Sequence, residues 1–110
     1  MTLDEIKDIV RVSSKYELDW PSQLDEYIEK VYTPVKQAVA SGDIVVIDYL
    51  TQCTAEERDD VYTGFADGAK EGGCQAAIDL YVDHCKKMGY EIDKSVIKRR
   101  IPQNKRLTIV

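Results

Sequence analysis

The stretch Thr33-Pro34-Val35-Lys36-Gln37-Ala38-Val39-Ala40-Ser41-Gly42-Asp43-Ile44-Val45-Val46-Ile47-Asp48-Tyr49-Leu50 constrains this chain more than any other. Thr-Pro is a helix-opening pair, because proline at the first helical position gives up an N–H that has no partner there anyway. Small residues follow where a neighbouring helix can pack closely, and Gly42 closes the segment. The run 44–47 is ambiguous on its face. Four β-branched residues together suit a buried strand. Asp43 as a cap, with Ile47, Leu50 and Thr51 continuing the 3.6-residue period, favours a helix. A looser copy begins thirty residues on, with Thr63-Gly64-Phe65, Gly68-Ala69, Gly72 and Ala76-Ala77-Ile78-Asp79-Leu80-Tyr81. An echo of this kind predicts stacked helical hairpins, an arrangement that serves binding more often than chemistry.

The flanking sequence supplies more helix signals. Thr2-Leu3-Asp4-Glu5 has capping-box spacing, and Leu3, Ile6, Ile9 and Val10 follow at helical intervals up to about Ser13-Ser14. Trp20-Pro21 opens a second helix whose apolar face is Leu24, Tyr27, Ile28 and Val31, with Trp20 folding back as a staple. That helix is expected to stop near Tyr32, since a residue before proline disfavours helical geometry. Thr54-Ala55-Glu56-Glu57 is a second capping box. It starts a helix with Arg58-Asp59-Asp60 in water and Val61, Phe65, Gly68 and Ala69 packed. Gly64 and Gly68 there imply a closely crossing neighbour. The segment 74–88 reads as amphipathic, with Cys74, Ala77, Ile78, Tyr81, Cys85 and Met88 inward and Gly89 as its terminator. Asp93 is placed to cap one more short helix over 94–100, and Pro102 ends it.

At 110 residues the chain suits one helical domain over 1–101 and a basic tail over 102–110. A domain of this size can bury about two-thirds of its unfolded surface, so neither metal nor disulfide is required. Cys53, Cys74 and Cys85 are odd in number with no CxxC, which favours reduced, packed thiols and a reducing, cytosol-like compartment. The acidic start lacks a secretory apolar region, and no run approaches a membrane span. Charge is uneven. Twenty acids and nine bases up to Asp93 give −11, whereas six bases and no acid follow from Lys94, for a net −5. The basic end is read as a solvated helix or as a docking surface for an acidic partner or phosphates.

On the residues 33–50 the chain resembles the first half of an ankyrin repeat, Thr-Pro-Leu-His-x-Ala-Ala-x-x-Gly-His-Leu-x-x-Val-x-x-Leu. Thr33, Pro34, Ala38, Gly42, Ile47 and Leu50 match it. The second copy keeps Thr63, Phe65, Ala69, Gly72, Ala76 and Ala77. Its ending, Met88-Gly89-Tyr90-Glu91-Ile92-Asp93, is similar to the Gly-Ala-Asp-Val-Asn close of a repeat. The chain departs from the pattern at Lys36, which stands for the His, and at Gly64, which stands for the second Pro. Its spacing is thirty residues where the family has thirty-three, and a capped helix at Thr54 stands where the family has a hairpin finger.

The resemblance implies an all-α stack of about five to six helices, a degenerate array of the kind seen in viral and bacterial effectors. The alternative is an irregular small helical bundle. It implies a non-enzymatic adaptor or inhibitor that binds a protein partner on an inner-helix surface around Lys36, Gln37, Asp67 and Lys70.

Chemistry is hard to place. There is no phosphate-binding loop, nucleophile elbow or zinc spacing, and no cofactor or metal is implied. His84 lies next to Cys85, but neighbours on a helix point about 100° apart, so it reads as structural. Glu56-Glu57 and Asp59-Asp60 read as a solvated face at a helix start, where negative charge is favoured. Lys98, Arg99 and Arg100, with Lys105 and Arg106, carry the alternative function, a nucleic-acid-associated regulator. The acidic body raises a further alternative, a nucleic-acid mimic. Thr108-Ile109-Val110 resembles a C-terminal ligand for PDZ domains.

Overall fold

In the computed structural model, which describes residues 1–72 and 74–96, the chain is helical throughout, with no strand among those residues. Seven α-helices are described where five to six were expected: α1 (Leu3–Ser13), α2 (Pro21–Tyr27), α3 (Thr33–Ala40), α4 (Ile44–Gln52), α5 (Ala55–Asp59), α6 (Tyr62–Glu71) and α7 (Gln75–Met88). Residues 94–96 begin a further helical turn, in which Asp93 accepts from the Ser95 N–H at 2.8 Å. The rest of the segment expected at 94–100 lies outside the described residues.

The helical rod that begins with α2 does not stop near Tyr32, where the sequence predicts a stop, but continues into α3. A π-helical turn, Ile28–Tyr32, joins α2 directly to α3, and Thr33 keeps helical angles (φ −63, ψ −48) while its N–H reaches back to Ile28 O. Proline inside an α-helix collides with the carbonyl four residues earlier and removes a hydrogen bond. The wide turn moves the carbonyls back by one residue just ahead of Pro34, so the rod runs on through it. The apolar face also differs from expectation. Tyr27 and Val31 are buried, but Trp20 is 61% exposed and Leu24 and Ile28 also face out.

Two hairpins form the centre. In the first, α3 turns at Gly42 (φ +76) into α4, where the Asp43 carboxylate accepts from Val45 N–H at 3.1 Å. The residues 44–47 are therefore helical. Val46, Ile47 and Leu50 are buried. In the second, α6 leads into α7, which ends on Gly89 in the left-handed conformation (φ +76). Helix α3 lies against α6 and α4 against α7, while α1 packs on α4 and covers the free side.

The α3–α6 contact is close enough to need glycine. A Cβ on Gly68 would stand 2.8 Å from both Lys36 O and Val39 Cβ. One on Gly64 would stand 3.1 Å from Tyr32 O, and one on Gly72 would stand 2.7 Å from Ala40 O. The spacing of these glycines thus reports a backbone-to-backbone crossing, as expected from the sequence.

The capping boxes at Thr2–Glu5 and Thr54–Glu57 both form. The second helix is shorter than expected. Helix α5 ends at Asp59, and α6 starts afresh at Tyr62 after Val61 leaves helical geometry (φ −116, ψ 16). This break sets the orientation of the charged residues discussed next.

Candidate functional site

Arg58 does not face water. It lies on the last turn of the short α5 and points inward, 1% exposed, between α4 and α7. Its Nη1 donates to Leu50 O at 3.0 Å and to Cys53 O at 3.3 Å, which satisfies carbonyls at the end of α4. Its Nε donates to Nδ1 of His84 at 2.9 Å. Because the guanidinium only donates, Nδ1 must be the unprotonated nitrogen. The proton therefore sits on Nε2, which donates to Asp59 Oδ1 at 3.1 Å. Burial holds the His84 pKa below its ordinary value of 6.5, opposed by Asp59 and aided by the Arg58 charge. The imidazole is neutral, fully buried and occupied at both nitrogens. In this arrangement it has no lone pair free to act as a base towards Cys85, whose Sγ lies 3.6 Å from the Tyr62 hydroxyl. Both of its ring nitrogens thus tie α5 to α7.

The outer end of this chain opens into a cavity. Asp59 Oδ1 also accepts from the Tyr90 hydroxyl at 2.8 Å. Asp60 beside it gives its backbone carbonyl to the buried Tyr27 hydroxyl at 2.6 Å. Between them lies a space of about 340 Å³, bounded by the end of α1 and the loop after it, the end of α2, the α5–α6 break and Tyr90. Four tyrosines wall it. Tyr16 and Tyr27 meet edge to face at 5.8 Å, and Tyr62 and Tyr90 lie 4.8 Å apart on the other side. Asp59 and Asp60 provide the charge, Leu18 stands at the rim, and among the described residues no Lys, Arg or His lines the space. Desolvation pushes the Asp60 carboxyl above its ordinary pKa, reinforced by Asp59, Glu56 and Glu57.

The four described residues expected to meet a partner share two adjacent helices, Lys36 and Gln37 on α3 with Asp67 and Lys70 on α6. Most already have neighbours. Lys36 pairs with Glu71 at 3.2 Å and lies 5.5 Å over the Tyr32 ring. Asp67 accepts from the Tyr32 hydroxyl, and Lys70 pairs with Asp93 at 3.8 Å. Gln37 is exposed, and with Lys36, Ala40, Ser41 and Glu71 it borders a shallow depression. Lys98, Arg99 and Arg100, with the tail from 102 onward and its Thr108-Ile109-Val110 end, lie outside the described residues.

The expectation that Arg58-Asp59-Asp60 forms a solvated face is corrected: Arg58 is core, and Asp59 is half-buried on His84. Nothing in the local pattern marks this, because the side-chain partners stand 25 to 33 residues away. The one available hint was the supply of tyrosines, seven in the chain, near an acidic helix end. Among the described residues, no group of three or more His, Cys, Asp or Glu could hold a metal ion, and the three cysteines are free thiols. No described helix is long and apolar enough to cross a membrane. No protein family, curated protein or solved structure matches the chain.

Proposed function

We propose that this chain is a non-enzymatic protein-interaction module, an ankyrin-like pair of stacked hairpins that acts as adaptor or inhibitor of a partner protein. The observation that carries this reading is the pairing of like helices. The first helices of the two hairpins, α3 and α6, lie together, as do the second helices, α4 and α7. Stacking of this kind is what a repeat array uses to bury a shared core and present one continuous face. That face carries Lys36, Gln37, Asp67 and Lys70. Reduced thiols at Cys53, Cys74 and Cys85 accord with a cytosol-like setting.

The test is capture from native lysate by the wild-type chain and by the double variant Lys36→Glu, Lys70→Glu. Both lysines carry only half-exposed pairs, so the variant should keep its circular dichroism and melting temperature. A partner retained by wild type and lost from the variant supports the reading. The same partner held equally by both overturns this face as the binding surface.

A further inference from the structure

We propose that the tyrosine-walled cavity at the α5–α6 break is a receptor site for a guanidinium or alkylammonium side chain presented by a basic peptide. This deepens the interaction reading by naming the partner's chemistry, and it rests on that reading, but it uses a surface separate from the α3–α6 face.

Three features carry it. The first is wall chemistry. The rings of Tyr16, Tyr27, Tyr62 and Tyr90 border one space together with Asp59 and Asp60, and no basic side chain among the described residues lines it. Aromatic faces attract a cation through their quadrupoles, most strongly when it is partly desolvated, and carboxylates add charge. The second is the state of the carboxylates. Asp59 is anchored through Oδ1 by His84 and Tyr90, with no described bond to Oδ2. The Asp60 carboxylate has no described hydrogen-bond or ion-pair partner, since only its backbone carbonyl is taken, by Tyr27. The third is size. A volume of about 340 Å³ falls within the range of small-ligand sites and accommodates one long side chain.

A divalent metal ion fits poorly. Calcium takes six to eight oxygen ligands, and two carboxylates beside aromatic rings do not supply them. A neutral apolar side chain would leave Asp60 desolvated with no compensating charge. A planar guanidinium satisfies both requirements, stacking on a ring while its N–H groups reach a carboxylate. Leu18 at the rim, 48% exposed, lies where the flanking residues of a peptide would pass.

The experiment is a two-dimensional amide NMR titration of the full chain with three probes. These are N-acetyl-arginine amide, its neutral isostere N-acetyl-citrulline amide, and a short peptide carrying one arginine between alanines. The expected result is saturable shifts at Tyr16, Thr63 and Tyr90 with both arginine probes. They should be at least about fivefold weaker with citrulline, and the peptide should bind more tightly than the free amide. Asp60→Asn keeps the shape of the wall and should weaken arginine roughly fivefold or more. Tighter binding of the amide than of the peptide would place the source in small free amines and overturn the peptide assignment. Equal shifts with citrulline, or shifts that bypass these residues, would overturn the site itself. Partner capture through Lys36 and Lys70 is scored separately, so the two readings can fail independently.

Discussion

Arg58 donates Nε–H to Nδ1 of His84 at 2.9 Å, so a permanently charged side chain fixes the tautomer of a fully buried imidazole. One contact thus holds α5 against α7, and it depends on His84 remaining neutral. Protonation would turn the acceptor into a second donor facing the guanidinium. The charged groups around the ring are Arg58 and Asp59 on α5 and Asp83 on α7, with the Tyr62 and Tyr90 rings against it.

Stability should therefore depend on pH in a defined window. The folded pKa of His84 lies below its unfolded value of 6.5. The unfolded chain then binds the proton more readily, and stability falls as pH drops. It is full above pH 6.5 and is lost as pH falls through that value towards the depressed folded pKa. Melting temperatures measured from pH 7.5 to 5 should decline, and His84→Gln should flatten the curve over that interval. A wild-type profile that stays flat between 6.5 and 5 would contradict the assigned tautomer.

Removing the guanidinium should be costly even where volume is kept. Arg58→Met leaves Leu50 O, Cys53 O and His84 Nδ1 without their donor. A loss of about 2–4 kcal/mol is expected by urea denaturation. Arg58→Lys should rescue little, because a single ammonium cannot span the acceptors that the planar fork reaches.

Two glycine substitutions should separate crowding from backbone strain. In Gly68→Ala the new methyl meets Lys36 O and Val39 Cβ at 2.8 Å, and the helices must move apart. The expected loss is roughly 2–3 kcal/mol. In Gly89→Ala the methyl meets nothing within 4 Å among the described residues, and the left-handed backbone resists, at about 1 kcal/mol. Chemical denaturation of both variants side by side gives the ranking.

The only tryptophan is an outward reporter. Trp20 is 61% exposed, so its native emission should already be that of a solvated indole and should shift little on unfolding. Trp20→Ser should change stability by no more than about 0.5 kcal/mol.

What could be read from the sequence divides by range. The caps Thr2–Glu5, Asp43 and Thr54–Glu57 act across two or three residues and were legible. The helical state of 44–47, against the strand preference of its residues, was legible through Asp43 and the spacing of Leu50. The glycine spacing on α6 announced a close crossing. The burial of Arg58 is not legible locally, because three charged residues at a helix start usually face water and its partner His84 lies 26 residues away. The cavity, formed by residues from four separate parts of the chain, had no local signature. Pro34 signals a stop only for an α-helix, and the wider turn ahead of it lets the rod continue.

That wide turn also explains a regularity in the rod. Tyr27, Val31, Val35 and Val39 are all buried, at strict intervals of four. In an α-helix each four-residue step overshoots one turn by roughly 40°, so such a row would wind off the contact face. The π turn absorbs one extra residue and offsets that drift just before the stretch where Tyr32, Lys36 and Ala40 meet Gly64, Gly68 and Gly72 on α6. The Ile28–Tyr32 segment is therefore a vernier. Deleting one solvent-facing residue there, such as Lys30, would remove the offset and turn everything after it by about 100°, so length at this point is more tightly constrained than side-chain identity.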